Sequence, residues 1–345
     1  MAYFLHVKEP GKTPSLKQQL IQLDPLGTTV FLPAAVCFLI ALQWGGVQYA
    51  WNSSRIIALF VISAILITTF IALQIRAQEN ATVPPRIFKQ RSIFAGTLFS
   101  TCIGGVLVTL LYWIAIWFQA VKGVSAVHSG INTVPLVLSL TVASIFTGAF
   151  ARRTGYYVPP MYLGVVFMSI GAGLMTTFTP TTGHSAWIGY QVLFGFGIGT
   201  SMQAPSLAAQ NVCAKSDIST GVSLMFFGQS FGGALFNSIA QALFNGYLSS
   251  HLKGIKGVDI GMISHVGATE LRDIVPAASL GRVIQIYNEA LVHVFVLVTA
   301  VAAFAAVPAL LVELKRIPPQ RPGHTKRVKE EMEKQKQERK EGQIQ

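Results

Sequence analysis

Long uninterrupted apolar blocks alternate with short polar ones along this chain, and eight of the blocks are long enough to cross a bilayer. A helix rises about 1.5 Å per residue, so about 20 apolar residues span the roughly 30 Å hydrocarbon layer. The blocks cover residues 27–46, 55–75, 93–119, 127–151, 158–179, 186–208, 220–246 and 290–313. The pattern predicts an all-α, polytopic membrane protein with eight transmembrane helices. A polar connection, 76–92, carries Pro84-Pro85 and divides two helices (27–75) from six (93–313). Within the six, 247–289 is the long loop; Pro276 should break it, and Ser279 should cap a helix running into the last span. Residues 1–26 read as a cytosolic N-terminal segment and 314–345 as a charged, solvated cytosolic tail.

Composition narrows the class. Hydrophobic residues make up 52% and charged residues 12%, where a soluble domain carries roughly 25% charged residues. A soluble protein of this size needs a polar surface that these residues do not supply. The net charge of +12 does not point to nucleic acid: ten of the 26 Lys and Arg residues lie after Leu314, diluted by five Glu. No basic stripe is interleaved with stacking aromatics. Cys37, Cys102 and Cys213 are scattered, so no disulfide, metal or cofactor site is expected. The first twenty residues lack the apolar core of a signal peptide. The sequons at Asn52 and Asn80 should stay unmodified, one because it hugs the membrane and the other because it lies on the cytosolic side.

Lys and Arg resist translocation, so loop charge sets orientation. Placing the N-terminus inside puts twenty basic residues in cytosolic segments and six outside, with both termini in the cytosol. Trp44, Tyr49, Trp51, Trp113, Trp117, Trp187 and Tyr247 gather near the outer ends, as interfacial aromatics do.

Three stretches carry a recognisable pattern: LQWGGVQYAWNSSRIIALF (42–60), ATVPPRIFKQRS (81–92) and YWIAIWFQAVKGVSAVHSGI (112–131). With RRTGYYVPPMYLGVVFMSIGAGLMTTF (152–178), GHSAWIGYQVLFGFGIG (183–199) and the stretch from Gly221 to Leu248, they resemble the fourteen-helix fungal drug:proton antiporters of the major facilitator superfamily. The resemblance runs from about Lys12 to Glu313. It implies that 27–75 are the two central linker helices and that 93–313 are the C-terminal six-helix half. The N-terminal half, with its loop motif, antiporter motif and coupling residues, is expected to be missing. The family implies an efflux permease working by alternating access, with a lipophilic or amphipathic small molecule as substrate and protons handled by the other half. The expected location is the plasma membrane, with the vacuolar membrane as the alternative.

Polar side chains are costly in hydrocarbon, so a polar stripe at helical spacing should face a cavity or another helix. Thr97, Thr101, Gly105 and Thr109 lead to Tyr112 and Gln119; Gln191, Gly195, Gly199 and Gln203 form a second stripe; Gln229, Gly233, Asn237 and Gln241 form a third. One reading lines a substrate path with Tyr112, Gln119, Gln191, Gln203, Gln229 and Asn237, and the resemblance adds that the third and sixth spans line the central cavity. The other reading is interhelical glue, because small residues admit close approach and amides bond across helices. The runs around Gly195 and Gly228 are expected to be packing surfaces.

Gly148, Arg152, Arg153 and Gly155 close the fourth span and resemble the C-half copy of the superfamily's cytosolic loop motif, implying a gate; simple anchoring of positive charge inside is the alternative. No Asp, Glu, Lys or Arg falls mid-span, so a proton relay is expected elsewhere. His128, His293, Glu289, Asp24 and Asp217 read as surface or capping groups. Enzymatic chemistry has no support, because His184, His251 and His265 lack paired Cys or carboxylate spacing. A non-transporting regulator or remnant stays as the alternative to a permease.

Overall fold

The computed structural model describes residues 24–46, 48–78, 81–253 and 275–316. The expected tail beyond Arg316, the N-terminal segment before Asp24, Asn80 and the middle of the 247–289 loop lie outside the described residues. Among those residues the chain is helical, with a single bridge between Gly45 and Tyr49. The helices are α1 (Pro25–Trp44), α2 (Ser54–Ala77), α3 (Pro85–Phe88), α4 (Arg91–Ala120), α5 (Ala126–Asn132) and α6 (Val134–Thr154). There follow α7 (Val158–Met175), α8 (His184–Ser201), α9 (Ala204–Val212), α10 (Ile218–His251), α11 (Ala277–Phe304) and α12 (Ala306–Leu311).

Among the described residues, six helical segments are long and apolar enough to cross a membrane. The other two expected spans, α8 with α9 and α10, are interrupted less by charge than by glycine, serine and amide residues, and neighbouring helices hold them in the bundle. Proline explains where the structure subdivides the expected spans. The fourth breaks at Thr133, before Pro135 in the first turn of α6, and the sixth breaks before Pro205 in the first turn of α9. A proline ring lacks the donor that would continue the ladder but fits a helix start. The last span starts earlier than its apolar block suggests. Pro276, not Ser279, holds the N-cap position of α11, and Ser279 lies in the first turn with its amide bonded to the Pro276 carbonyl.

The six-helix portion is built around α4, which packs mainly on α10 and also on α11 and α9. Most of its apolar window, 61%, is buried, against 17% for α1 and 11% for α2. Helix α8 lies between α6 and α7. Helices α1 and α2 pair with each other, Ser63 Oγ donating to the Ala34 carbonyl at 2.8 Å, and α1 packs on α10 of the six-helix portion. Trp113, Trp117 and Trp187 are buried, whereas Trp44 and Trp51 are exposed. Trp117 packs on Phe178 at 4.5 Å between centroids, and Phe118 on Trp187 at 4.9 Å. The indoles of Trp113 and Trp117 can turn inward because each N–H finds an amide acceptor there.

Candidate functional site

The polar stripes of α4 and α10 face each other. A Cβ on Gly104 would sit 1.8 Å from the Gln229 carbonyl, and one on Gly232 would sit 1.9 Å from the Thr101 carbonyl. Gly228 meets the Thr97 backbone, and Gly105 meets the Phe236 ring. Only glycine lets two helix backbones approach this closely, which is how small residues drive association where lipid competes equally for apolar surface. On α8 the glycines serve two neighbours. Gly195 and Gly199 touch the Leu136 and Leu140 carbonyls of α6, while Gly197 touches the Met168 backbone of α7.

The amides named from sequence divide by burial. Gln191 is fully buried, and its Nε2 donates to the Asn132 carbonyl at 3.0 Å. That carbonyl ends α5 at the break before Pro135, where the helix ladder is interrupted. The Oε1 of Gln191 is buried without a hydrogen-bond partner. Asn237 is half-buried and accepts from Trp113 Nε1 at 3.1 Å. Gln229 and Gln119 are half-buried, while Tyr112 and Gln203 are exposed. Tyr112 meets Trp113 edge-on at 5.3 Å. The structure therefore brings Asn237 together with the Tyr112–Trp113 pair and sets Gln191 apart at the α5–α6 break.

In the loop motif, Gly155 has φ 75° and closes α6 as a left-handed C-cap, its amide bonded to the Ala151 carbonyl. This conformation suits glycine, which has no Cβ to clash. Arg152 and Arg153 are exposed in the last turn, where cations complement the helix dipole. Arg152 Nε lies 3.3 Å from the Gly148 carbonyl one turn back. Nothing lies within 4 Å of a Cβ built on Gly148, so its lack of a side chain is not required for packing.

Two polar nodes escaped the sequence pattern. Asn288 bridges three elements: its Oδ1 accepts from Trp117 Nε1 at 2.8 Å, and its Nδ2 donates to the Phe178 carbonyl at 2.9 Å. It lies two residues before the expected start of the last span, so the apolar pattern held no signal for it. Asp24 is the second. Its buried carboxylate accepts from the Gly27 amide at 2.9 Å, Gln74 Nε2 at 2.6 Å, and the Thr82 amide and hydroxyl at 3.1 and 3.0 Å. Burial pushes its pKa up, but these donors outweigh it and hold the carboxyl below its ordinary value. Asp24-Pro25 is a helix-start signature, and the signal extended to the cap but not to the remote partners. Nearby, Arg86 pairs with Asp217 at 3.0 Å and lowers the Asp217 pKa, tying the segment before α4 to the start of α10.

No family model matches the chain. It is 48% identical over 314 residues to the rubrofusarin-specific efflux pump aurT of Gibberella zeae, covering 91% of this chain and 58% of that protein. It is 46% identical to the MFS-type efflux pump MFS1 of Trichophyton rubrum, covering 87% of this chain and 56% of that one. It is 44% identical to the acetylaranotin efflux transporter ataA of Aspergillus terreus, covering 91% and 70% respectively. The chain thus spans somewhat over half the length of the first two. Among solved structures, it resembles a bacterial homologue of the human lysosomal transporter Spinster in an inward-facing, occupied conformation. That match has a TM-score of 0.51 at 15% identity, over 85% of this chain and 64% of that one. Such a likeness concerns the fold alone, and it agrees with the helical bundle described above. With identity of this level along nine-tenths of its length, the chain belongs to the fungal MFS-type transporters, within the major facilitator superfamily.

Proposed function

We propose that this chain supplies the substrate-facing, moving part of an efflux permease for lipophilic or amphipathic small molecules, such as fungal secondary metabolites. The 48% identity with a rubrofusarin efflux pump across 91% of the chain carries the reading. In this reading residues 27–75 form the central helix pair and 93–313 form one transporter half. That half rocks against a second six-helix half during alternating access. Tyr112, Gln119 and Gln203 offer exposed or half-buried polar groups to the substrate, with Gln229 and Asn237 behind them. Gln191 holds the α5–α6 break in place and so shapes the path rather than lining it. Arg152 and Arg153 fasten the inner end of α6. Loop charge places both termini in the cytosol, and the plasma membrane is the working location. Proton coupling falls to the partner half, since the helices here carry their charged residues toward the ends, apart from Glu289.

The test is accumulation of a lipophilic dye in yeast lacking its own drug pumps. The chain alone should leave accumulation unchanged. Co-expression with the N-terminal six helices of the Gibberella relative should lower it, and a protonophore should abolish the difference. In that pairing, Gln191→Ala with Gln203→Ala should blunt export at equal surface abundance. Unaltered export by the double variant would remove Gln203 from the path and Gln191 from shaping it.

A further inference from the structure

Helix α1, paired with α2, leans on α10, and the three helices line a cleft of about 290 Å³. Phe31 of α1, Phe70 of α2 and Phe227 of α10 supply its rings, and Thr82, Thr220 and Ser223 supply hydroxyls. Phe31 is central. It meets Phe70 at 5.0 Å and 48°, and Phe227 at 5.5 Å and 66°. Phe227 in turn stacks on Phe231 at 16°. No lining residue carries a charge. Ser223 and Phe227 are exposed, so the mouth opens on the side of the bundle.

One wall is fixed in advance. The hydroxyl and amide of Thr82 both donate to Asp24, and the Val83 amide donates to Gln74 Oε1 at 2.9 Å. A buried carboxylate and amide thus hold the 81–83 segment against the cleft whether or not anything occupies it. Preorganisation of this kind reduces the entropic cost of binding. The lining also shares no residue with the path proposed above.

We propose that this cleft is a second binding site, taking a neutral, flat aromatic molecule with phenol or carbonyl oxygens that enters sideways from the bilayer. Aromatic rings prefer tilted or offset partners at 4.5–7 Å, the geometry that Phe31, Phe70 and Phe227 already show. The hydroxyls match ligand oxygens, and the absence of charge disfavours ions. The volume lies at the small end of ligand pockets, roughly 300–1,000 Å³, and suits two or three rings. An acyl chain would fill the space but leave the hydroxyls without a purpose.

The experiment uses the full chain in phosphatidylcholine nanodiscs, irradiated with para-hydroxybenzophenone, with adducts located by mass spectrometry. Adducts should concentrate on peptides containing 28–32, Phe70 and 220–227, and naphthol should compete. Phe227→Trp fills the cleft and Ser223→Leu blocks its mouth; each should cut labelling about tenfold, the cost of overpacking an occupied site. Ser223 is exposed, so Ser223→Leu keeps the fold and reads the outcome even where Phe227→Trp does not. Even labelling along all lipid-facing helices, or labelling unchanged by Ser223→Leu, would overturn the proposal. So would specific labelling of the same peptides by a photoactivatable phosphatidylcholine that naphthol does not displace. None of these readouts depends on transport.

Discussion

Gly232→Ala should separate the central helices, and its cost follows from the geometry. A Cβ at Gly232 would stand 1.9 Å from the Thr101 carbonyl oxygen, against a floor of 3.0 Å for real contacts. The obstacle is backbone, so no rotamer change relieves it, and α4 and α10 must part by about 1 Å. A gap of roughly 0.5–1 Å forfeits a quarter to a half of each dispersion contact across it. Helix α10 is the principal neighbour of α4, so many contacts are affected. Overpacking typically costs about 1–3 kcal/mol, and this site belongs at the upper end. Alanine returns up to about 1 kcal/mol through helix propensity, leaving a net loss of about 2 kcal/mol. Gly246→Ala is the matched control, in the same helix with nothing within 4 Å of the added carbon. It should be neutral or slightly stabilising. Unfolding by SDS from dodecylmaltoside micelles, followed by circular dichroism and tryptophan fluorescence, measures both. Trp113 and Trp117 report from α4 itself. Equal stability of the two variants would refute the close crossing of α4 and α10.

Asn288→Leu should cost about 2–3 kcal/mol, because it leaves the Trp117 indole and the Phe178 carbonyl unpaired; the same unfolding assay measures it, with a shift in tryptophan emission. Asp24→Ala should speed hydrogen exchange at the Gly27 and Thr82 amides, which donate to that carboxylate, and at Val83, which Gln74 holds; unchanged protection would show that the node is not closed. Because the Asp24 pKa is lowered in the folded state, its stabilisation is present above the unfolded carboxylate pKa and fades as pH falls through the folded value. Protection at those amides, corrected for intrinsic exchange, should therefore decline in acid and hold near neutrality. Gly148→Ala should leave stability unchanged or improved, since its Cβ meets nothing; a loss of export in the paired assay despite this would favour a gating role for the loop motif over anchoring.

Apolar runs of about twenty residues dictated that the chain folds as membrane-spanning helices, because hydrocarbon demands internally satisfied backbones and tolerates little else. Proline was legible only in part: the break at Pro276 was expected, whereas the apolar blocks ran across Pro135 and Pro205, which stand at helix starts in the structure. Four-residue spacing showed that Thr97, Thr101 and Gly105 share a face, and likewise Gln229, Gly233 and Asn237. It could not show that these two faces meet. Lipid is as apolar as leucine, so hydrophobicity chooses no partner within a bilayer, and only the assembled backbones decide which small faces can touch. That choice buried Gln191 against a broken helix, turned Trp113 and Trp117 inward onto amides, and drew Thr82 across 58 residues of chain to Asp24. Polar atoms in a helix bundle take whatever partner the packing presents, which is a property of the whole structure and not of any one segment.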